Sequence, residues 1–359
     1  MSSDLSRDRP LSAAIVNYNG RRYLENTVSA LLACAPGVRE VLIVDSGSTD
    51  GSAEMVEKKF SEARLVRLQD NRGPGPARNT AIAEATHDRI LLLDNDVALQ
   101  PGCSEYLTQA LDDYPKAVAA FAAMRYANAT ETVQFVAGEP HFLGTMRLLG
   151  ADVPASEISL DPFLVASAPT SCLLLDRSRL LDGSRFDERI TIYLEDHEWC
   201  LRTVLKGMDL VAHPAAQCLH GEGTVGISIR ETGGFSALRV RHTILNRWQV
   251  LLKLYQLRTL LRFAPTLLLF EGVQLAGVTR KGWLSHWCWA VSALIRGLPD
   301  LARRRRAFQR CRTRQDLDVL RAGPFPYNSA MVSGRMEELA RKTLDGVAAL
   351  NWRLAGGPE

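Results

Sequence analysis

The chain has 359 residues, 46% of them hydrophobic and 23% charged, with a formal net charge of +3. That balance excludes a disordered chain and leaves room for one large domain or two smaller ones. Seven cysteines, odd in number and without a Cys-x-x-Cys pair, indicate neither a zinc site nor a disulfide framework and suit a reduced, cytosolic compartment; the polar start MSSDLSRDRP lacks the apolar stretch of a secretory signal.

In chain order, LSAAIVNYN (11–19) reads as a short strand, 22–33 has helical spacing, and EVLIVDSGSTDGS (40–52) is a strand running into a turn. Helical spacing returns at 52–60, 64–69 is a strand, 77–85 is a helix, and ILLL at 90–93 is a continuous apolar run. Such a run suits an interior strand covered on both faces. The alternation of strand and helix predicts an α/β fold with a parallel sheet and right-handed crossovers.

The polar residues of this region fall at one edge of that sheet. They are Asn17, Tyr18, Asp45, the Gly73-Pro74-Gly75 loop with Arg78 behind it, and Asp94-Asn95-Asp96. In open α/β sheets, ligands bind in the crevice beside the carboxyl ends of the strands. Asp94 and Asp96 repel each other unless a cation or donor hydrogens lie between them, which suggests a divalent metal with oxygen ligands. Each feature has a structural alternative: Asp45 as the cap of its turn, Gly-Pro-Gly as punctuation, Asn79 and Thr80 as ordinary helix residues, the aspartates as turn formers. Arg78 at a helix start points toward a bound phosphate, because a cation there opposes the helix dipole unless an anion is near.

Five stretches in order, AAIVNYNG, VLIVDSGSTDGS, NRGPGPARN, ILLLDNDV and IYLEDHEWCLRTVLKG, resemble family 2 glycosyltransferases of the GT-A fold, particularly the bacterial rhamnosyltransferase-like branch. The resemblance spans about residues 11–225. It implies that Asn17, Tyr18 and Asp45 hold the nucleoside base, while Gly73, Arg78, Asp94, Asn95 and Asp96 serve the sugar diphosphate. Asp94 and Asp96 become the Asp-any-Asp motif for Mg²⁺ or Mn²⁺, with Asp96 the direct ligand. Val16-Asn17 stands where the family usually has Pro-Thr or Val-Thr before the first Tyr.

A second carboxylate pair, Glu195-Asp196, precedes a segment of helical spacing at 196–205. Acids are common at helix starts for dipole reasons alone. The resemblance instead implies a general base that activates the acceptor hydroxyl, with Asp196 in that role and Glu195 a helper or acceptor contact. It also makes His220 a metal or diphosphate contact, with His213 the weaker candidate. SAPTSCLLLDR (167–177) reads as a strand framing the acceptor side, where Thr170, Ser171 and Cys172 take the place of the family's small residue.

Between residues 239 and 314 there are sixteen Lys or Arg against only Glu271 and Asp300. This divides the chain into a polar tail (1–10), a catalytic domain (11–235) and a helical, Arg-rich region (236–359), with a boundary near residue 235 after the Gly-rich stretch 221–234. Neither apolar stretch of the last region offers eighteen clean apolar residues, so a spanning helix is not expected. Helices lying in an anionic membrane interface, with Trp283, Trp287 and Trp289 at headgroup depth, fit the composition. The alternative is packing on the catalytic domain or on a second subunit. The arginine run 303–306 comes with no nucleic-acid-binding motif, so no nucleic-acid partner is expected.

These readings converge on an inverting glycosyltransferase at the inner face of the cell membrane. It would use a divalent cation to move a hexose, with rhamnose from dTDP-rhamnose as the candidate, to a lipid-linked or polysaccharide acceptor. The competing expectation is a non-catalytic nucleotide-sugar-binding or scaffold protein.

Overall fold

The computed structural model describes residues 9–182, 184–224, 228, 236–325 and 334–357. Residues 1–8 of the expected tail and the boundary near residue 235 lie outside them.

The first elements are β1 (Leu11–Asn17), α1 (Leu24–Cys34), β2 (Val38–Asp45), α2 (Ser52–Lys59), β3 (Ala63–Arg67), α3 (Pro74–Glu84) and β4 (Arg89–Asp94). They form the expected parallel layer, in the order β3-β2-β1-β4. Apolar residues on these strands serve two cores by turns: Ile90 and Leu92 enter one, Leu91 and Leu93 the other. Coverage of both faces is why the run shows no polar alternation.

One boundary differs in a way that matters. Helix α3 begins at Pro74, three residues before the expected start, because proline suits a first helical position where its missing N–H goes unneeded. Arg78 therefore lies one turn inside the helix, and the dipole argument for a phosphate beside it loses its footing.

The chain continues through β5 (Val97–Leu99), α4 (Cys103–Asp113), β6 (Ala117–Tyr126) and β7 (Ala129–Phe135). A hairpin of β8 (Ala137–His141) and β9 (Thr145–Leu149) follows, then β10 (Val153–Pro154), β11 (Phe163–Val165), β12 (Cys172–Asp176), α5 (Glu195–Leu205) and β13 (Asp209–His220). Strand β12 inserts antiparallel between β4 and β6, so the sheet is parallel on one side of β4 and mixed on the other. It is shorter than the expected 167–177 because the chain before it turns in to meet β4, where the Asp94 N–H donates to the Ser171 carbonyl at 2.9 Å. Strand β13 runs parallel to β6 and antiparallel to β5, pairing His220 with Val97. That register brings His220 beside Asp96.

The C-terminal helices are α6 (Ala237–Leu254), α7 (Leu257–Arg262), α8 (Ala264–Arg280), α9 (Leu284–Cys311), α10 (Asp316–Val319) and α11 (Arg335–Leu354). None of the described helices is long and apolar enough to cross a membrane. Part of the basic excess is spent internally. Arg304 reaches Asp187 at 2.7 Å, Asp300 at 2.9 Å and Gln249 at 3.0 Å. Arg305 donates to the carbonyls of Leu252 and Tyr255, and Arg312 to that of Leu254, closing the α6 C-terminus where carbonyls lack helical partners. Trp283, Trp287 and Trp289 are partly buried against Val240, Ile244 and Val278, so they pack on α6 and α8 instead of forming an exposed aromatic belt.

A buried charge network ties this region to α5. Lys253 on α6 pairs with Glu198 at 2.7 Å and with Asp187, while Arg202 meets Glu198 at 2.8 Å. Charges this deep persist only when paired. They make α6 and α9 structural supports of α5.

Candidate active site

The strand ends converge on a cavity of about 630 Å³. Ten of the eleven expected site residues line it: Asn17, Tyr18, Gly73, Arg78, Asp94, Asn95, Asp96, Glu195, Asp196 and His220. Asp45 does not. Its carboxylate accepts from the Ser48 N–H at 3.0 Å, the Ser48 hydroxyl at 2.6 Å and the Asn17 amide at 2.7 Å, so it caps the turn after β2 behind the cleft wall. The structure thus places Asp45, expected to hold the base, one residue back from the cavity, in contact with Asn17.

Asn17 is similarly engaged. Its amide also donates to Ser52 at 2.9 Å, and its carbonyl oxygen accepts from Asn95 at 2.9 Å. The middle residue of the Asp-Asn-Asp triplet is thus locked to the end of β1, and this fixes which way the flanking aspartates face. Gly20 makes that lock possible, since a Cβ there would fall 2.2 Å from the Asn95 amide nitrogen.

Asp94, Asp96 and His220 bring one donor atom each within 4.8 Å of one another. The Gln134 carbonyl oxygen lies 2.6 Å from His220 Nδ1 and can only accept there, which puts the ring proton on Nδ1. Nε2 then faces Asp96 Oδ1 at 3.5 Å. Two aspartates and an imidazole are a donor set that fits a divalent cation.

Glu195 and Asp196 open α5 on the opposite wall. Arg78 bridges the walls: its buried guanidinium lies 2.6 Å from Asp94 and 3.5 Å from Glu195. The arginine expected to hold a phosphate is therefore the counterion of the two acidic sets, although its Nη1 makes no hydrogen bond. Burial, reinforced by the neighbouring Asp196 charge, raises the Glu195 carboxyl to about 8. Burial also raises Asp196, to about 6, against the 2.6 Å hydrogen bond that it accepts from the His197 N–H. The pair can hold one proton near neutral pH, with Asp196 the more acidic member.

The approach to α5 is strained. Tyr193 and Leu194 have φ of +62° and +64°, a left-handed conformation that non-glycine residues adopt at a cost. Gly73 lies beneath this loop with φ +93°, and a Cβ on it would stand 1.6 Å from the Thr191 carbonyl oxygen. Glycine is required there by the crossing of two loops.

Residues 12–149 match the family model described as Glycosyl transferase family 2. The chain carries a family 2 glycosyltransferase domain. It is 27% identical over 236 residues to an N-acetylglucosaminyl-diphospho-decaprenol L-rhamnosyltransferase of Mycobacterium tuberculosis, an alignment covering 58% of this chain and 75% of that protein. A poly-beta-1,6-N-acetyl-D-glucosamine synthase of Staphylococcus aureus is 32% identical over 101 residues, 28% of this chain and 24% of the synthase. Among solved structures, GalNAc-T7 with UDP, GalNAc and Mn²⁺ superposes with a TM-score of 0.58 at 15% identity, covering 72% of this chain and 50% of that one. The fold of this glycosyltransferase is GT-A, as the sequence motifs imply.

Several expected residues stand apart from the cleft. His213 is buried on β13 against Tyr106, and Thr170 is buried with its hydroxyl unpartnered. Ser171 lines the cavity, but Cys172 turns into the core on the far side of the sheet. Two functional positions carried no motif: Gln134, which orients His220, and Asn246, which holds the loop before Glu195. Neither has a local signal, because each acts on a partner far away in sequence.

Proposed function

We propose that the glycosyltransferase is an inverting enzyme of cell-envelope glycan synthesis, moving a sugar from a nucleoside-diphosphate donor to a lipid-linked or polysaccharide acceptor. The observation that carries this reading is the Arg78 bridge between Asp94 and Glu195, which makes the donor edge of the sheet and the acidic start of α5 two walls of one cleft. Tyr18 and the Asn17 loop take the base, while Asp94, Asp96 and His220 would hold Mg²⁺ or Mn²⁺. That cation, when bound, neutralises charge developing on the leaving diphosphate.

Asp196 removes the proton of the acceptor hydroxyl as the oxygen bonds to the anomeric carbon from the face opposite the diphosphate. The bond from that carbon to the diphosphate oxygen breaks, and its electron pair leaves with the diphosphate. Glu195, protonated near neutral pH, donates a hydrogen bond to the acceptor sugar. Rhamnose from dTDP-rhamnose is the candidate donor, supported by the alignment with the mycobacterial L-rhamnosyltransferase.

The acceptor lies at the inner membrane face, where the C-terminal helices dock on anionic lipid. Exposed leucines support this, paired one turn apart on α7 (Leu257 and Leu261) and on α11 (Leu350 and Leu354). A thermal-shift screen of UDP-, dTDP- and GDP-sugars with Mg²⁺ or Mn²⁺ tests the donor, since ligands that bind only the native state stabilise it. Transfer of the selected sugar to a polyprenyl-diphosphate glycan then tests the reaction. Metal-dependent donor binding without transfer to any candidate acceptor would favour the non-catalytic binding protein.

A further inference from the structure

Behind the carboxylate cluster, three cysteines from distant parts of the chain meet. Cys103 opens α4, Cys172 opens β12 opposite Leu93, and Cys218 lies on β13 opposite Leu99. All three are fully buried and free. Their sulfurs lie within 4.8 Å of one another, with Cys103 and Cys218 at 3.5 Å. We propose that Cys103, Cys172 and Cys218 form a three-sulfur site for a soft, thiophilic cation of the copper(I) class.

The donor set selects the ligand. Sulfur binds soft ions such as Cu(I) and Zn(II), and hard oxygen-seeking ions are excluded by an apolar wall that includes Leu93, Val97 and Leu174. Structural zinc takes four ligands, and among the described residues the group offers three. A metal–sulfur bond of about 2.3 Å corresponds to a triangle of sulfurs roughly 4 Å on a side, so the site is completed when the 3.5 Å Cys103–Cys218 edge opens by about half an ångström and Cys172 adjusts within its 4.8 Å limit.

Placement supports the charge that binding requires. Cys103 is the first residue of α4 after the Gly102 cap, where the positive end of the helix stabilises a thiolate. Binding releases thiol protons to solvent and leaves every sulfur in its oxidation state, so no oxidant is needed. An ion here would tie α4, β12 and β13 together directly behind the catalytic cleft. Cys172 follows Ser171, whose carbonyl accepts from Asp94, and Cys218 stands two residues before His220.

The test uses the full chain with the exposed Cys288 and Cys311 changed to Ser. It is titrated anaerobically with Cu(I) against a competing chelator, both as the native protein and during refolding. The expected result is one tightly held ion per chain, a coordination shell of three sulfurs by X-ray absorption, and a raised melting temperature. Cys218→Ala should weaken binding at least about 100-fold and reduce the shell to two sulfurs, whereas Cys34→Ser and Cys200→Ala should change neither. Circular dichroism reports whether Cys218→Ala folds, and Cys103→Ala supplies the same comparison if it does not. Failure to retain Cu(I) by either route would make the trio core packing only and overturn the site. A two-sulfur shell in the parent, or tighter binding of Zn(II) than of Cu(I), would overturn the three-coordinate assignment.

Discussion

Asn246 on α6 donates to the Tyr193 carbonyl at 2.8 Å, and to its neighbour Ile192 at the same distance. Gln249 donates to the Asn246 carbonyl oxygen at 3.1 Å, and Arg304 of the arginine run holds Gln249 at 3.0 Å. A line of hydrogen bonds thus runs from α9 through α6 to the left-handed pair Tyr193-Leu194 and so to Glu195 and Asp196. The C-terminal region reaches the loop that precedes the proposed catalytic pair.

Asn246→Ala should therefore lower kcat on the order of 100-fold, the scale of a small misplacement of a catalytic group, with donor affinity little changed. Steady-state kinetics beside calorimetric donor binding separate the two. An unchanged kcat would show that the loop keeps its strained conformation unaided.

Asp196→Asn preserves shape and removes the proton acceptor, so transfer should fall about 10²–10⁴-fold while donor binding holds. In the parent enzyme, activity should rise with pH through about 6 as Asp196 loses its proton and decline through about 8 as Glu195 does. Because the two carboxyls interact, both limbs belong to the pair; Glu195→Gln should remove the alkaline limb and leave the acid limb near about 6, since Glu195 is already uncharged where Asp196 titrates. A pH–kcat profile with one limb only would remove Glu195 from the reaction.

Excess EDTA should abolish transfer, and Asp96→Ala should do the same with metal present. Gln134→Leu tests the tautomer argument: without the acceptor on Nδ1, His220 loses its fixed orientation, and metal affinity should weaken about 10–100-fold. Full activity in EDTA would refute the metal site outright.

Lys253→Met leaves Glu198 to Arg202 alone and Asp187 to Arg304 alone, and should destabilise the fold by up to about 3–5 kcal/mol in chemical denaturation. Against the cost of burial, the Lys253 and Arg304 charges hold Asp187 well below the ordinary carboxylate range, and Arg202 and Lys253 do the same for Glu198. Groups with depressed folded values contribute stability that is complete above the unfolded carboxylate values near about 4 and is lost as pH falls through the folded ones. Acid unfolding should therefore be steep in the parent and shallower in Lys253→Met, where that contribution is already weakened.

Flotation with vesicles should increase with anionic lipid and fall with salt, since exposed charges are screened over about 8–10 Å near physiological ionic strength. Leu261→Gln with Leu268→Gln removes two leucines that are 67% and 71% exposed, and should weaken flotation without lowering the melting temperature. Arg304→Gln should do the reverse, because that arginine faces Asp187 and Gln249. Equal flotation on neutral vesicles would leave the hydrophobic surface as the whole cause.

The sequence by itself determined the parallel half of the sheet and the edge where the chemistry gathers. Apolar runs such as 90–93 and the polar residues that end them are local signals, and strand-helix alternation admits few topologies. For the same reason Asp94, Asp96, Glu195 and Asp196 were legible, each as a carboxylate beside a strand end or helix start. Only the tertiary structure decided how their charges are balanced. It turned Arg78 from an anion ligand into the counterion of Asp94 and Glu195, set Asp45 behind the cleft, and directed Arg304 and Arg305 inward. It also brought Cys103, Cys172 and Cys218 together, and placed Asn246 against Tyr193. The physical reason is range. Periodicity and turn chemistry act between near neighbours in the chain, whereas the partner of a buried charge, thiol or amide is whatever group the packing of distant elements delivers within about 3–4 Å of it.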